Sequence, residues 1–464
     1  MTNIKFGTDG WRAIIAKDYT VDNVQRIAEA TALWLKNRGE KQVVIGHDTR
    51  FAGELFAETA TSIFGAHGIK VMLAKGFVST PMVSLGVVKT DSDLGVVITA
   101  SHNPPSYNGY KLKSKVGGPM VPVQIAEVEA FIPESVSTVP ASLDQMQKDG
   151  LLEYVDLEKM YLDHVSASFD LDAMKKSGIT IGYDAMYGAG QNALKKLFPK
   201  AVTLHCEVNP SFMGQAPEPI HRNLLEFSEL IKNNDAIKMG IANDGDADRV
   251  GLYDEDGNFV DSHHILLLLL LYMYQYKKET GKVVVTFSVT DKMRKLAEIF
   301  GLGIEITPIG FKYIAEIMAY EDVIVGGEES GGLAVKGHIP ERDGIWIGLT
   351  ILEFMAKTGK SLKALIQDVY DLVGPFSYDR DDLHLTQEKK LAVIEDLKRN
   401  AFKTFGPYEI ARIETIDGFK FFIGDDIWVL IRPSGTEPVL RVYVQASSQA
   451  EVRKVLDAVQ ETIL

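Results

Sequence analysis

One pattern recurs three times along this chain: an apolar strand, a polar loop, a helix and a second strand. The three copies open with strands at residues 43–46, 179–182 and 283–285. Strands and helices that alternate in this order predict right-handed parallel crossovers, in which each helix packs against its own sheet. The first two copies also share a Gly-x-Asp step at the end of the opening strand. The sequence therefore predicts three similar mixed α/β units.

The tail of the chain follows a different pattern. A charged helix at residues 388–400 precedes alternating strands at 419–423, 428–431 and 440–446. This order predicts a small α+β domain, and a chain of 464 residues is too long to fold around one core. We expect the domain bounds to be 1–145, 155–253, 254–372 and 375–464.

Composition excludes several classes of function. A net charge of −14 and a pI of about 5.3 argue against a nucleic-acid or anionic-membrane surface. Cys206 is the only cysteine, so no intrachain disulfide can form and a reducing compartment is expected. The apolar run at 265–273 is too short to span a bilayer, and residues 1–10 contain no apolar signal region. We expect a cytoplasmic protein, a monomer or homodimer, with no nucleic-acid or membrane partner.

A small hydroxyl residue, Ser101, follows the apolar run at 94–98. Such a run predicts a buried strand of a parallel sheet, and open α/β sheets form their ligand sites at the carboxyl ends of their strands. Pro104 and Pro105 fix the backbone and remove two N–H donors, which makes the loop stiff. We interpret Ser101 as a nucleophile. The alternative is a turn with a capping serine.

An acidic loop at residues 244–249 follows the apolar strand at 239–242 and contains carboxylates at positions 244, 246 and 248. In an extended segment this spacing places them on one side. Their mutual repulsion requires a hard cation, and Mg²⁺ fits best because it prefers carboxylate oxygens and leaves positions open for phosphate. A calcium loop and an acidic surface turn are the alternatives, but the glycine that a calcium loop needs at its sixth position is replaced by Arg249.

The loop at residues 432–438 has the composition of an anion site. An arginine can bind phosphate through two N–H bonds, hydroxyls add donors, and a glycine lets backbone N–H groups converge. The residues that supply these groups are Arg432, Ser434, Gly435 and Thr436. A structural turn between two strands is the alternative.

A glycine-rich loop at residues 326–332 contains Glu328 and Ser330, which an extended backbone places on one side. Both side chains can hydrogen-bond to vicinal hydroxyls of a sugar. Glycine, serine and glutamate are common in loops, so the signal is weak when this loop is taken by itself.

Together with the segment Gly7-Thr8-Asp9-Gly10-Trp11-Arg12, these four loops resemble the α-D-phosphohexomutase family, in which the same motifs occur in the same order. The resemblance covers the whole chain. It implies four domains around one central cleft, three of which share a topology, in agreement with the repeats. It also implies a Mg²⁺-dependent mutase that moves a phosphoryl group between the 1- and 6-positions of a hexose.

The resemblance assigns a role to each motif. Ser101 would carry the phosphoryl group and supply one ligand of Mg²⁺, with the other ligands being Asp244, Asp246 and Asp248. The basic residues around that phosphoryl group would be Arg12, Lys111 and Arg249. The sugar hydroxyls would bind Glu328 and Ser330, and the second phosphate would bind Arg432, Ser434, Gly435 and Thr436. The acceptor of the substrate proton is either His102 or Lys111.

Three details of the resemblance point to glucose. Many glucosamine and dual-specificity enzymes end the sugar loop in Ser-Gly-His, whereas this chain has Gly332 there. The pair Phe311-Lys312 and the residue Glu329 look more like glucose-type enzymes, so Lys312 is also expected to bind substrate. We therefore expect interconversion of glucose 1-phosphate and glucose 6-phosphate, and of mannose phosphates, with glucose 1,6-bisphosphate as intermediate and activator. The alternatives are a phosphoglucosamine mutase, a phosphatase, and a non-catalytic sugar-phosphate sensor.

Overall fold

The computed structural model describes residues 2–424, 426–433 and 439–464. The chain forms two compact units. The first comprises Met1–Val284 and Gly310–Ile366, and the second comprises Val285–Ile309 and Gln367–Leu464. No helix in the described part of the chain is long and apolar enough to cross a membrane.

The first sheet of the first unit has six strands in the order β1-β5-β4-β2-β3-β6. These strands are β1 Trp11–Ile14, β2 Gln42–His47, β3 Lys70–Ala74, β4 Leu94–Ile98, β5 Tyr107–Ser114 and β6 Leu152–Val155. Strand β2 pairs in parallel with β3 and β4, while β5 runs antiparallel to β4 and β1. Every residue of β4 is buried, which explains its continuous apolar sequence. Strand β6 lies beyond residue 145, where we predicted the first domain to end.

Five helices accompany this sheet: α1 Val21–Arg38, α2 Gly53–Ala66, α3 Thr80–Lys89, α4 Pro122–Ala130 and α5 Leu143–Lys148. Thr20 caps the start of helix α1, because its hydroxyl accepts a hydrogen bond from the Asn23 N–H. Gly39, in the left-handed conformation, caps its end. Ser79 caps α3 in the same way through the Met82 N–H, and a proline occupies the first turn of α3. Local capping signals therefore determine where these helices begin.

The second sheet has five strands in the order β11-β10-β9-β7-β8. They are β7 Thr180–Asp184, β8 Val202–Leu204, β9 Ile237–Asn243, β10 Val250–Tyr253 and β11 Phe259–Val260. The accompanying helices are α6 Leu157–Ser168, α7 Leu171–Lys176, α8 Gln191–Leu197 and α9 Leu225–Lys232, with short 3₁₀ turns at Phe212–Gly214 and His221–Asn223. Strand β7 pairs in parallel with β8 and β9, whereas β9 and β10 are antiparallel neighbours joined by the acidic loop.

The rest of the first unit contains a third set of strands and helices. These are α10 Ser262–Leu271, β12 Lys282–Thr286, α12 Phe311–Tyr320, β14 Val323–Gly327, β15 Leu333–Val335 and α13 Gly344–Thr358, with a π-helical turn at Tyr272–Tyr276. Residues 265–271 are buried without exception, so the apolar run is a core helix, as predicted. Helix α14, Leu362–Val373, leads into the second unit.

The second unit contains an antiparallel sheet in the order β16-β22-β21-β20-β19. The helices and strands of this unit, within and outside that sheet, are α11 Lys292–Ile299, β13 Ile304–Thr307, β16 Ser377–His384, α15 Gln387–Lys398, β17 Thr404–Phe405, β18 Tyr408–Glu409, β19 Arg412–Glu414, β20 Phe419–Phe422, β21 Trp428–Pro433, β22 Val439–Ala446 and α16 Gln449–Ile463. Apolar residues of α15, α16 and the sheet form one core. This is the predicted α+β arrangement, and the three preceding regions are mixed α/β, as predicted.

Residues 285–309 belong to the second unit because their side chains pack on its sheet. Phe287 shares an apolar cluster with Trp428. The Lys420 Nζ lies 3.1 Å from Asp291 Oδ1 and 4.0 Å from the centre of the Trp428 ring. A buried ammonium between an aromatic face and a carboxylate joins this segment firmly to the sheet. The predicted third domain, 254–372, therefore spans parts of both units.

Candidate active site

Ser101 lies directly beyond the carboxyl end of β4 and is fully buried. Its φ of 53° is in the left-handed region, which is uncommon for a residue with a side chain. The Ser101 N–H donates to Thr99 Oγ1 at 2.9 Å, and this bond helps to hold the unusual conformation. The serine is therefore in a constrained turn, as the prolines of its loop predicted.

The acidic loop is a tight turn rather than the extended segment that we predicted. Asn243 and Val250 are opposed in the antiparallel β9–β10 pair, so the chain must reverse within six residues. The Ala247 N–H bonds to the Asp244 carbonyl at 3.1 Å, and Ala247 has a φ of 55°. The three carboxylates nevertheless converge, with one oxygen from each within 4.8 Å of the others.

The loop that carries Ser101 (residues 99–106, the serine loop) meets the acidic loop, although the two are far apart in sequence. Ser101 Oγ donates to Asp244 Oδ2 at 2.7 Å. Gly245 permits this approach, because a Cβ there would lie 2.6 Å from the Ser101 carbonyl oxygen. The structure therefore brings together Ser101 and the three aspartates, the four residues predicted to hold a metal.

The acidic loop has the donors that a hard cation requires. Asp246 Oδ1 and Asp248 Oδ1 are buried and make no hydrogen bond to any residue that the structure describes. Burial, together with the charges of Asp246 and Asp248, raises the pKa of Asp244 well above its usual value. A cation among these oxygens would relieve both the repulsion and the unpaired acceptors. Of the biological cations, Mg²⁺ suits a small set of carboxylate oxygens beside a phosphate.

Two buried cations face the same carboxylates. Lys111 Nζ lies 2.8 Å from Asp246, 3.0 Å from Asp248 and 2.9 Å from Asp9. Arg342 contacts Asp248 at 2.8 Å and also pairs with Asp9. Burial by itself would lower the pKa of Lys111, but the three carboxylates raise it above its usual value. Lys111 is therefore a fixed positive charge at the site.

The other predicted residues around Ser101 lie in the same region. His102 Nδ1 is 3.2 Å from Ser101 Oγ, and burial followed by the charge of Arg249 lowers the pKa of this histidine well below its usual value. Arg12 NH1 donates to Asn103 Oδ1 of the serine loop at 2.6 Å. The Arg249 N–H donates to Asp244 Oδ1 at 3.0 Å. His102 is therefore a neutral imidazole beside the Ser101 hydroxyl, and the charges of Arg249, Arg12, Lys111 and Arg342 all act on it.

The sugar loop joins the same site through its backbone. The Val250 N–H bonds to the Gly331 carbonyl at 3.2 Å, and the Glu328 N–H bonds to the Gly332 carbonyl at 3.0 Å. Ser330 is half-buried at its tip. A Cβ at Gly332 would lie 2.5 Å from Arg342 Cδ, so a side chain at this position would have to displace Arg342.

Lys312 and Arg432 are the other predicted binding residues that the structure describes. Lys312, in the first turn of α12, lines a cavity of about 180 Å³ with Asp9 and Gly10. Arg432 belongs to the second unit, where its Nε donates to Asp417 Oδ1 at 2.9 Å. Ser434, Gly435 and Thr436 lie outside the described residues, so the phosphate clamp predicted there stays a prediction.

Three charged residues of the site were not predicted from sequence. Asp9 lies within the quoted Gly7–Arg12 motif but received no role, although it pairs with both buried cations. Arg342 stands in a charged triplet before the apolar helix α13, a weak signal that a buried charge begins there. Arg50 follows β2, the strand next to β4, and the sheet-edge rule that indicated Ser101 could have indicated Arg50 as well.

The comparisons with known proteins agree with this fold and identify the family. The chain matches the models named phosphoglucomutase/phosphomannomutase, alpha/beta/alpha domains I, II and III, and C-terminal domain. The matched residues are 3–138, 159–257, 261–373 and 383–462. The chain therefore belongs to the phosphoglucomutase/phosphomannomutase family, the α-D-phosphohexomutases. It is an intramolecular phosphotransferase.

Individual relatives differ in the sugar that they are named for. The chain is 30% identical to a phosphoglucomutase/phosphomannomutase of Thermococcus kodakarensis over 97% of its length and 96% of the relative's. It is 32% identical to a phosphoglucosamine mutase of Methanococcus aeolicus, with the same coverage. A putative phosphomannomutase from Thermus thermophilus superposes with a TM-score of 0.88 at 34% identity, covering 100% of this chain and 99% of that one. These names do not establish which sugar phosphate this chain converts.

The buried carboxyl of Glu328 predicts a pH-dependent stability. Burial raises its pKa from 4.5 to about 7, so its contribution to the stability of the free protein is present below pH 4.5 and is lost as the pH rises through about 7. Glu328→Gln should therefore gain stability relative to wild type between pH 5 and about 8. Thermal unfolding across this range measures the difference, with the exposed Glu54→Gln as control. A difference that does not change with pH would contradict the assignment.

Proposed function

We propose that this phosphohexomutase interconverts glucose 1-phosphate and glucose 6-phosphate, accepts mannose phosphates more slowly, and acts in the cytoplasm. The observation that supports the chemistry best is the 2.7 Å hydrogen bond from Ser101 Oγ to Asp244 Oδ2. It joins a constrained serine to a cluster of three carboxylates across 143 positions of sequence. A phosphoryl carrier beside a site for a divalent cation needs this juxtaposition.

In this proposal Ser101 carries the phosphoryl group, donates it to the free hydroxyl of the sugar phosphate, and takes back the other phosphate. Between the two transfers the intermediate is glucose 1,6-bisphosphate, which also phosphorylates enzyme that has lost its phosphate. Asp244, Asp246, Asp248 and Ser101 would hold Mg²⁺, which supplies Lewis-acid stabilisation of the transferring charge. Phosphoryl transfer depends mainly on such positioning and electrostatics.

The basic residues have separate tasks. Arg12, Arg249 and Lys111 face the transferring group and balance its charge. Although burial opposes it, the charges of Asp246, Asp248 and Asp9 raise the pKa of Lys111, so Nζ stays an ammonium with no lone pair to accept a proton. His102 Nδ1, at 3.2 Å from Ser101 Oγ, is the better-placed acceptor.

Substrate binding would use two groups of residues. Glu328 and Ser330 would bind the 3- and 4-hydroxyls, and Lys312 would contact the sugar phosphate. Arg432, Ser434, Gly435 and Thr436 would bind the phosphate that does not react. A second phosphate clamp favours a mutase over a phosphatase, because hydrolysis does not require the far end of the substrate to be held. Ser101 and the three aspartates argue against a silent sensor.

A phosphoglucosamine mutase is the second candidate. Most of the similar curated proteins at about 30% identity are named for that activity. Glu329 could also tolerate an amine at the 2-position of the sugar. The absence of a side chain at Gly332 and the Phe311-Lys312 pair favour glucose, because they differ from the pattern of the glucosamine enzymes.

Replacing the carrier hydroxyl tests the mechanism. Ser101→Ala should lose turnover of glucose 1-phosphate by about 10³-fold or more, since no group remains to accept the phosphoryl group. The exposed serine of the same loop offers a matched control, and Ser106→Ala should keep wild-type turnover. The assay couples formation of glucose 6-phosphate to its dehydrogenase in the presence of glucose 1,6-bisphosphate. Full activity of Ser101→Ala would rule out the phosphoserine mechanism.

Mg²⁺ binding by the acidic loop can be measured independently of turnover. Asp246→Asn removes one of three charges, so it should weaken Mg²⁺ binding as measured by titration calorimetry and should lower kcat as well. Asp254→Asn, in the neighbouring turn outside the cluster, should keep the wild-type affinity for Mg²⁺. Activity that persists in excess chelator would refute a role for the ion.

Comparing three substrates side by side identifies the sugar phosphate that the enzyme prefers. Glucose and mannose differ only at the 2-hydroxyl, and one hydrogen bond to it is worth about 0.5–1.5 kcal/mol, or a factor of about two to ten. We expect kcat/KM to fall in the order glucose, mannose and glucosamine 1-phosphate. Glucosamine 1-phosphate as the best substrate would favour the second candidate. Release of inorganic phosphate without isomerisation would indicate a phosphatase.

A further inference from the structure

A fully buried guanidinium lies beneath the serine loop. Arg50, three residues beyond β2, donates four hydrogen bonds to backbone carbonyls of this loop. NH2 donates to Ser101 O at 2.6 Å and to Asn103 O at 2.7 Å. NH1 donates to Pro104 O at 2.9 Å and to Tyr107 O at 3.0 Å. One side chain therefore bonds to Ser101 near the start of the loop and to Tyr107, the first residue of β5, at its end.

The loop also has internal backbone bonds, from the Asn103 N–H to Ala100 O and from the Tyr107 N–H to Pro104 O, both at 3.0 Å, but each of these spans only three residues. Its two prolines have no N–H groups to donate. Ser101 has a φ of 53°, which costs free energy unless neighbouring groups enforce it. Buried carbonyls without donors are also unfavourable. A charged, planar donor satisfies the buried carbonyl of Ser101 together with the part-buried bonds to Asn103, Pro104 and Tyr107, and it fixes their relative positions.

Arg50 is itself held from two sides. Its Nε lies 3.3 Å from Asp48 Oδ2, and its N–H donates to Asp48 Oδ1 at 2.9 Å. Asp48 also accepts a hydrogen bond from Thr99 Oγ1, the hydroxyl that accepts the Ser101 N–H. The ring of Phe212 covers the guanidinium, with its centre 5.0 Å from Cζ. The guanidinium of Arg50 is therefore held in place and cannot reach the Ser101 hydroxyl.

We propose that Arg50 is a positioning residue for the phosphoryl carrier. By holding four carbonyls of the loop, it keeps Ser101 Oγ beside Asp244, where the phosphoryl group enters and leaves. The proposal rests on the proposed role of Ser101. It assigns to Arg50 an effect on turnover rather than on substrate binding, because the guanidinium bonds to the loop and not to the residues proposed to bind the sugar.

Arg50→Lys tests this proposal. Lysine keeps the charge but concentrates its donors on one nitrogen, so it cannot serve four carbonyls in a plane. A displacement of about 1 Å at a reacting group costs about 10²-fold in rate. We expect kcat for glucose 1-phosphate to fall by about 10- to 100-fold with little change in KM. Arg26→Lys is the matched control, because Arg26 also bonds to backbone carbonyls, those of Pro133 and Thr2, away from the serine loop.

The measurement must separate positioning from folding. Intact-mass spectrometry gives the fraction of chains that carry a phosphate after incubation with glucose 1,6-bisphosphate, and turnover is then expressed per phosphorylated chain. Arg50→Lys should lose turnover on this scale, whereas Arg26→Lys should not. Equal turnover per phosphorylated chain in Arg50→Lys and wild type would overturn the proposal, even if the variant melts at a lower temperature.

A second variant covers the case in which Arg50→Lys does not fold. Asp48→Asn keeps the shape of the side chain but removes the charge that orients the guanidinium of Arg50, so turnover per phosphorylated chain should fall in the same direction. Unchanged turnover in Asp48→Asn would then overturn the proposal. If the proposed role of Ser101 is wrong, the result is different, because intact-mass spectrometry of the wild-type protein would then show no phosphate on Ser101.

Discussion

The site depends on the balance of charges in a region that excludes water. Asp244, Asp246 and Asp248 are fully buried within 4.8 Å of one another, and such a group of carboxylates is unstable without positive charge beside it. Lys111 and Arg342 supply that charge from the protein, and a divalent cation would supply the rest. The contacts of these two basic side chains with Asp246 and Asp248 therefore hold the carboxylate cluster together.

This balance also couples distant parts of the first unit. Asp9 comes from the amino-terminal segment, Lys111 from β5, the three aspartates from the turn after β9, and Arg342 from the residues before α13. The charges pair mainly across segments: Lys111 contacts Asp9, Asp246 and Asp248, and Arg342 contacts Asp9 and Asp248 as well as its neighbour Glu341. Removing one partner would leave the others buried and unpaired, which is more costly than losing a surface ion pair. The order of the site is thus a property of the assembled unit.

Local sequence predicted the parts of the site that depend on local rules. Apolar strands followed by Ser101 and by the acidic loop placed these residues at strand ends, and the resemblance supplied their partners. The pairings of Arg342 with Asp9 and of Lys113 with Glu341 span 333 and 228 positions, and no local pattern encodes such contacts. The tight turn of the acidic loop was also missed, because it follows from the register of β9 with β10.

The contact between Gly332 and Arg342 ties the shape of the glycine-rich loop to the charge balance of the site. The space that a side chain at position 332 would fill is occupied by the stem of an arginine that neutralises Asp248. A side chain there would have to displace this arginine and alter the charge around Asp248. Under the proposed function, in which the loop binds the sugar and Asp248 holds the metal, recognition of the sugar and the electrostatics of transfer are therefore not independent. A residue introduced at position 332 would change the shape of the loop without supplying the charge balance that this shape requires.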